Sequence, residues 1–169
     1  MLKAKTQISL TNGQTATILR VLGQGGQGTV YEVNLNGKKM ALKWYTHPVY
    51  TTNANFYHNL KTNIRIGSPS SAFLWPEYLT LPQYGSFGYI MSLRPKNYVE
   101  FSRFLLAKER FHSLQALFQA AINICEAFKA LHIKGLSYQD LNDGNFFLDP
   151  KTGMSLFATT IMSSSTEPI

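Results

Sequence analysis

The sequence predicts an α+β fold with two differently built halves, because its hydrophobic periodicity changes near Leu93-Arg94-Pro95. Before that point, short runs rich in Val, Ile, Leu, Thr and Tyr are typical of strands. After it, apolar residues recur with the 3.6-residue period of a helix. The length of 169 residues fits one domain of average size or two small lobes. We therefore expect a strand-rich N-terminal half and a helical C-terminal half.

Five strands and one helix are predicted in the N-terminal half. Asn36-Gly37 is a two-residue turn typical of a tight hairpin between two of the strands. The helix runs from about 53 to 66, with Thr52 or Asn53 as its N-cap and Gly67 as its stop. The strands cover 15–22, 28–35, 38–45, 77–81 and 87–93. This half is predicted to be a five-stranded antiparallel sheet with one helix.

A long helix dominates the prediction for the C-terminal half. Ser113 can cap its start, and Gly135 can end it in a left-handed conformation. A shorter helix over 98–106 precedes it, and an apolar triplet at 146–148 and a turn at 149–153 follow it. This helix carries one apolar stripe, which consists of Leu117, Ala121, Ile124, Phe128 and Leu131.

The composition indicates a folded protein. Apolar residues make up 44% of the chain and aromatic residues 13%, which excludes a disordered tail. No segment reaches the ~20 apolar residues of a membrane span, and the N-terminus lacks the apolar core of a signal peptide. Cys125 is the only cysteine, which excludes a disulfide framework and a cysteine zinc cluster. We therefore expect a soluble, cytoplasmic protein with no membrane partner.

The formal net charge of +7 is compatible with an anionic partner but does not identify it. No Asp or Glu occurs between Glu32 and Glu77, so the N-terminal half has a positive field. Nucleic acid, the phosphates of a nucleotide and a plain solvated basic surface all fit this charge. The absence of interleaved basic and aromatic residues on one face disfavours nucleic acid.

The glycine-rich segment Gly23-Gln-Gly25-Gly26-Gln-Gly28-Thr-Val30 lies between the first two predicted strands. A dinucleotide-binding fold would place a helix after such glycines. Strands on both sides instead suit a glycine-rich hairpin folded over nucleotide phosphates. Glycine allows the backbone to approach phosphate oxygens closely and to take positive φ. A flexible hairpin turn without a ligand is the alternative.

A lysine on the third predicted strand is a second candidate. In Met40-Ala41-Leu42-Lys43, strand alternation puts Ala41 and Lys43 on the same face. A small residue there leaves room for an adenine ring, and the lysine can reach the α- and β-phosphates. The alternative is a solvated strand lysine.

The third candidate is the polar loop Tyr138-Gln-Asp140-Leu-Asn-Asp-Gly-Asn145. An Asp and an Asn five positions apart can divide two tasks in phosphoryl transfer. The Asp orients and deprotonates the attacking hydroxyl, and the Asn ligates magnesium. An Asx-rich turn without catalytic function is the alternative.

In this order, the three motifs resemble those of the protein-kinase family. LGQGGQGTVYEV resembles the glycine-rich loop, MALK the V-A-I-K strand, and YQDLNDGN the H-R-D-L-x-x-x-N catalytic loop. The match runs from about Ile18 to about Gly153. The resemblance implies a protein-kinase-like fold with an N-lobe over 1–93, an incomplete helical C-lobe over 94–153 and a divergent tail over 154–169. LHIKGLSYQDLNDGNFF further resembles bacterial kinase-like proteins of the helix-hairpin-helix-associated type.

The resemblance implies a reaction and its site residues. The reaction is transfer of the γ-phosphoryl group of ATP to a protein Ser or Thr, with Asp140 as the base, Lys43 on the phosphates and Asn145 as a ligand of Mg²⁺. Within the nucleotide site, glycines cover the phosphates, and Val30 and Ala41 lie above adenine and Phe147 below. Met91 is implied as the gatekeeper, and Ser92 to Arg94 as the hinge. Residues implied to contact ATP are Gly23, Gly25, Gly28, Val30, Ala41, Lys43, Met91, Leu93 and Phe147.

Two departures from the family pattern leave other functions open. The predicted helix at 53–66 contains no Asp or Glu to pair with Lys43, and His58 is the best candidate for that position. The family's metal-binding Asp should fall near Thr159, yet no Asp follows Asp149, so the magnesium site is expected to be incomplete. A chain truncated after the catalytic loop, acting as a pseudokinase that binds nucleotide or a partner, is the first alternative. A small-molecule phosphotransferase is the second, because D-L-x-x-G-N also resembles aminoglycoside phosphotransferases.

Overall fold

The protein consists of two compact units, which are described separately. The computed structural model describes residues 1–138, 141–158 and 162–163, the last two by their backbone alone. The N-terminal unit comprises Met1–Gly67 and Pro76–Leu93. The C-terminal unit comprises Ser68–Trp75 and Arg94–Ile169. No helix in the described part of the chain is long and apolar enough to cross a lipid bilayer.

The N-terminal unit is built on a six-stranded sheet in which all neighbouring strands are antiparallel. The strand order is β1-β2-β3-β4-β6-β5. The strands are β1 (Gln7–Ser9), β2 (Thr15–Gln24), β3 (Gly28–Leu35), β4 (Lys38–Tyr45), β5 (Tyr78–Leu79) and β6 (Gly88–Met91). The five predicted strands are present, and β1 is added to them. Its three residues are too few to give a strand signal, but the buried Ile8 anchors it to the core.

The hydrophobic core of this unit lies on one face of the sheet. Alternate residues of β3 and β4 point into it, since side chains on a strand alternate between faces. Ile8 and Leu10 from the β1 region and Ile90 from β6 complete the packing. The contributions of β3 and β4 are Tyr31, Val33, Leu35, Met40, Leu42 and Trp44. The opposite face of the same strands carries the alternate set of side chains.

Two helices follow β4. The short α1 (Pro48–Thr51) was not predicted, whereas α2 (Ala54–Ile66) matches the predicted helix. The Asn53 side chain accepts a hydrogen bond from the Phe56 N–H, and Gly67 follows the last turn with φ of 74°. Both the predicted N-cap and the predicted stop are thus confirmed.

The C-terminal unit combines helices with short strands. Helix α3 (Phe101–Leu105) follows β7 (Val99–Glu100), and α4 (Leu114–Ile133) is the long helix. The Ser113 hydroxyl caps α4 by accepting from the Ala116 N–H at 3.1 Å, as predicted. One antiparallel sheet has the order β10-β9-β7, with β9 at Phe146–Leu148 and β10 at Ser155–Phe157. A second pair joins β8 (Leu136–Ser137) to β11 (Met162–Ser163).

The predicted apolar stripe of α4 is partly exposed in the structure. Leu117 is 45% exposed and Ala121 is exposed, and Leu131 is the one fully buried member. The buried residues are Ala116, Ala120, Ala127 and Leu131. The physical reason is a close neighbour: a Cβ at Gly153 would lie 2.1 Å from the Ala116 carbonyl oxygen. Small side chains face this contact, so the larger residues of the helix are turned outwards.

Candidate functional site

The glycine-rich segment forms a tight hairpin between β2 and β3. Gly25 and Gly28 exchange two backbone hydrogen bonds, of 2.9 and 3.2 Å, around the two-residue loop Gly26-Gln27. Gly23 pairs with Val30 two residues further along the strands. The glycines of this hairpin are not among those with positive φ. The positive φ that glycine permits is therefore not used in this hairpin, and another reason for glycine must be sought.

The space around these glycines separates one of them from the others. A Cβ on Gly28 would lie 2.0 Å from the carbonyl oxygen of Trp44, so packing against β4 alone requires glycine there. A Cβ on Gly23, Gly25 or Gly26 would meet no atom within 4 Å. Packing does not explain these three glycines. Their open side is the feature that a backbone approached by a ligand would have.

The register of the sheet brings four predicted nucleotide contacts onto one face. Val30 on β3 lies opposite Lys43 on β4, and Ala41 on β4 lies opposite Met91 on β6. This is the face opposite the hydrophobic core. Leu93 is half-buried and follows the end of β6, so the strand register does not assign it to this face.

Lys43 is held by a residue that the sequence analysis did not single out. Its ammonium group donates to the Gln27 side-chain oxygen at 2.6 Å and lies 5.6 Å from the centre of the Tyr45 ring. The backbone N–H of Thr46 donates to the Gln27 carbonyl at 3.1 Å. Gln27 therefore ties the hairpin tip to the end of β4 and orients Lys43. Its position between two motif glycines was the available signal.

Helix α2 supplies no carboxylate to Lys43, because it contains neither Asp nor Glu. His58, the residue expected at the position of the family's glutamate, is exposed. The buried residues of α2 are Phe56, Leu60 and Asn63. The side chain of His58 is thus turned towards solvent, and its assignment to the glutamate position stays a prediction.

An ion-paired glutamate borders the same sheet face. Glu32 lies opposite Ala41, and its side chain is only 6% exposed. The Arg20 side chain donates to its carboxylate, and the Lys39 ammonium lies 3.4 Å from it. The hydrogen bond from Arg20 is the main reason that the pKa of Glu32 lies below its ordinary value. Because two cations neutralise it, the carboxylate does not repel an anion bound to this face.

In the C-terminal unit, the predicted adenine contact Phe147 is covered. Its ring is 7% exposed, and the guanidinium carbon of Arg94 lies 4.4 Å from the ring centre. Glu100 and Leu156 are its partners on the two neighbouring strands. The Arg94 Nη1 lies 3.9 Å from the Glu100 carboxylate. Arg94 was expected only as part of the hinge, so this contact is new information.

The predicted catalytic loop is described in part. Asp140 lies outside the described residues, and so does Thr159, near which the family's metal-binding Asp was sought. Asn145 is half-buried, its N–H donates to the Asn142 carbonyl at 3.1 Å, and its carbonyl accepts from the Ala158 N–H at 2.9 Å. These bonds fix the backbone of Asn145 between the loop and the end of β10.

The turn after β9 has a structural acid. Asp149 accepts hydrogen bonds from the Asn97 amide at 2.9 Å, the Thr152 hydroxyl at 2.7 Å and the Lys151 N–H at 2.9 Å. Burial alone would raise the pKa of Asp149, but these hydrogen bonds outweigh burial and lower it. Since its oxygens are engaged within the turn, Asp149 is a structural residue.

The described residues do not make up a magnesium site. They contain no group of three or more His, Cys, Asp or Glu side chains able to hold a metal ion. Asn145 offers one amide oxygen, whereas hard cations in proteins depend on carboxylate oxygens. Asp140 and Thr159 lie outside these residues, so the incompleteness of the magnesium site stays a prediction.

Comparison with known proteins identifies the fold. No protein-family model matches the chain. An Arabidopsis thaliana protein described as a protein kinase and PP2C-like domain-containing protein is 26% identical over 141 residues, which are 80% of this chain and 20% of that protein. The Mycobacterium tuberculosis PknI kinase domain superposes with a TM-score of 0.69 at 19% identity, covering 95% of this chain and 63% of that one. Vaccinia related kinase 3 superposes with a TM-score of 0.64 at 15% identity, covering 95% and 51%.

These similarities cover different shares of the matched proteins. The chain spans about a fifth of the curated protein and less than two thirds of the PknI kinase domain. The relationship to bacterial kinases of the helix-hairpin-helix-associated type stays a prediction. The structural similarity covers nearly the whole chain and includes the antiparallel sheet and the helices. The chain therefore has the α+β fold of protein kinase domains.

Proposed function

We propose that this chain is an ATP-binding domain of the protein-kinase type, and that its reaction is phosphoryl transfer from ATP to a Ser or Thr hydroxyl of a protein. One observation carries the proposal. The sheet register places Val30, Ala41, Lys43 and Met91 on one face, beside a hairpin whose first glycines have open space where a Cβ would be. This is the arrangement of side chains that the resemblance to the protein-kinase family predicts for a nucleotide.

The apolar side chains on this face suit a purine ring. Ala41 is small and lies between Glu32 on β3 and Met91 on β6 in the register. A flat ring above Ala41 would contact the side chains of Val30 and Met91 and would lose water from the face turned towards the sheet. Removal of apolar surface from water is the main favourable contribution to binding of this kind.

Lys43 suits the phosphates. A lysine ammonium has three N–H donors, and the bond to Gln27 uses one of them. Gln27 is a neutral partner, so it orients Lys43 without cancelling its charge. A phosphate oxygen can then accept a charge-assisted hydrogen bond from the same ammonium group. Open glycines in the hairpin let the phosphates approach its backbone.

Phosphoryl transfer rests on the resemblance for its remaining residues. Asp140 is assigned as the base that orients and deprotonates the attacking hydroxyl, and Asn145 as a magnesium ligand. Since the described residues do not make up a magnesium site, no step is assigned to the metal. ATP binding and phosphoryl transfer are therefore tested separately.

ATP binding is tested by thermal unfolding of the full chain with and without ATP and Mg²⁺. A ligand at 100 times its dissociation constant stabilises the folded state by about 2.7 kcal/mol. We expect a stabilisation of this size, largely lost in Lys43→Ala. Lys38→Ala is the matched control, because Lys38 is an exposed lysine on the same strand. A chain that unfolds cooperatively but gains no stability from ATP would contradict the proposal.

A second candidate function is that of a pseudokinase, which binds ATP without transferring phosphate. The observation that favours it is the absence of any acidic residue from α2, together with the amide partner of Lys43. In an active kinase, the equivalent lysine is paired with a glutamate of that helix. The two functions are distinguished by measuring transfer of the labelled γ-phosphoryl group from ATP to a mixture of protein substrates. Transfer that is abolished in Asp140→Asn would exclude the pseudokinase.

A further inference from the structure

We propose that Arg94 determines the affinity of this chain for the base of a nucleotide, because its guanidinium covers the Phe147 ring on which the base is predicted to stack. The base would have to displace Arg94 before it could contact Phe147. This inference rests on the proposed ATP binding, and it adds a residue that the kinase resemblance placed only in the hinge. Its observations all come from the C-terminal unit.

The contact between Arg94 and Phe147 has the geometry of a cation–π pair. The guanidinium carbon is 4.4 Å from the ring centre, well inside the ~6 Å within which such pairs are attractive. The Phe147 ring is 7% exposed, so nearly all of its surface is already in contact with the protein. A purine needs a free ring face to stack on an aromatic side chain. Phe147 therefore cannot accept a base while its surroundings stay as they are.

Among the neighbours of Phe147 named above, Arg94 is the one whose charged group lies over the ring. Leu156 and Glu100 lie on the strands that flank β9, and the pairing of the sheet keeps their backbones beside Phe147. The Arg94 side chain is 39% exposed and is not part of a strand. Its second partner is Glu100 at 3.9 Å, and exposed ion pairs at such distances contribute little to stability. Displacement of Arg94 is consequently the least costly way to free the ring.

The consequence is a penalty that affects the base and spares the phosphates. When only a fraction of the molecules has the site open, the apparent affinity falls by that fraction. Displacing Arg94 costs the cation–π attraction, which corresponds to roughly a threefold to thirtyfold change in the dissociation constant. Inorganic tripolyphosphate carries the charges of ATP without a base, so its binding should not depend on whether Phe147 is covered.

The test is isothermal titration of the full chain with ATP and with tripolyphosphate, in the wild type and in Arg94→Ala. We expect Arg94→Ala to bind ATP about tenfold more tightly and tripolyphosphate with unchanged affinity. The direction is diagnostic, because loss of a positive charge would by itself weaken binding of an anion. Arg103→Ala is the matched control, since Arg103 is an exposed arginine on α3 of the same unit. Arg94→Gln replaces Arg94→Ala if that variant does not fold.

Other outcomes separate the two proposals. If the wild type binds ATP and the Arg94 variant binds it equally or more weakly, Arg94 does not obstruct the base and the inference is overturned alone. The same holds if ATP and tripolyphosphate bind with equal affinity in both proteins. If neither protein binds either ligand, the proposed ATP binding fails together with the inference.

Discussion

The two surfaces that the kinase resemblance predicts for a nucleotide differ in how the protein itself occupies them. In the N-terminal unit, Val30, Ala41 and Met91 share a sheet face on which Ala41 and Met91 are themselves buried, and the open space lies at the neighbouring glycines 23, 25 and 26. In the C-terminal unit, Phe147 is buried under Arg94. Both surfaces match the same family motifs. A motif therefore identifies the residue types of a site, whereas access to them depends on neighbours that the motif does not include.

Truncating one side chain on each surface tests the difference between the two surfaces most directly. Phe147→Ala should lower the free energy of unfolding by about 3–5 kcal/mol, because it removes a buried aromatic ring. Val30→Ala should lower the free energy of unfolding by about 1 kcal/mol, because Val30 is only half-buried. Urea unfolding of the two variants and the wild type measures both losses. Equal losses would show that the two surfaces do not differ in burial.

Two glycines of the hairpin provide a second test within the N-terminal unit, because one is packed against the protein and the other has open space around it. Gly28→Ala should cost about 1–3 kcal/mol of stability, because its Cβ would overlap the carbonyl of Trp44. Gly25→Ala should change stability by less than about 0.5 kcal/mol and weaken ATP binding, because its Cβ would occupy the open side. Thermal unfolding with and without ATP measures both effects. A Gly25 variant that binds ATP as well as the wild type would mean that phosphates do not approach that glycine.

The smallest expected effect concerns pH and the ion-paired Glu32, which lies opposite Ala41 on the neighbouring strand. Its pKa is lower in the folded protein than the ordinary value of 4.5, chiefly because of the hydrogen bond from Arg20. Its contribution to stability is therefore complete above pH 4.5 and is lost as pH falls through the lower pKa of the folded state. Glu32→Gln should make stability decline less steeply below pH 4.5 in urea titrations. Arg20→Gln should act in the same direction. If stability depends on pH in both variants as it does in the wild type, the ion pair does not contribute to this dependence.

Local features of the fold could be predicted from the sequence, and features that depend on distant neighbours could not. Asn53, Gly67 and Ser113 cap or end helices as their residue types indicate. The buried face of α4 could not be predicted, because the close approach of Gly153 to Ala116 selects small residues there, and periodicity alone does not reveal this.

The candidate site shows the same division. Strand alternation was enough to place Ala41 and Lys43 on one face, and the register extends that face to Val30 and Met91. The contact between Gln27 and Lys43 depends on how the hairpin folds back onto β4. The contact between Arg94 and Phe147 joins segments far apart in the sequence. No local pattern encodes either contact, because both depend on long side chains brought together by the tertiary fold.

The most direct test of the account is hydrogen exchange of the full chain, measured by mass spectrometry with and without ATP. The central claim places the nucleotide on the face of β3, β4 and β6 that carries Val30, Ala41, Lys43 and Met91, beside the glycine hairpin. The account predicts slower exchange on ATP binding in peptides covering 23–31 and 39–45, with the effect lost in Lys43→Ala. Protection confined to other segments, or no change in a chain that binds ATP, would contradict it.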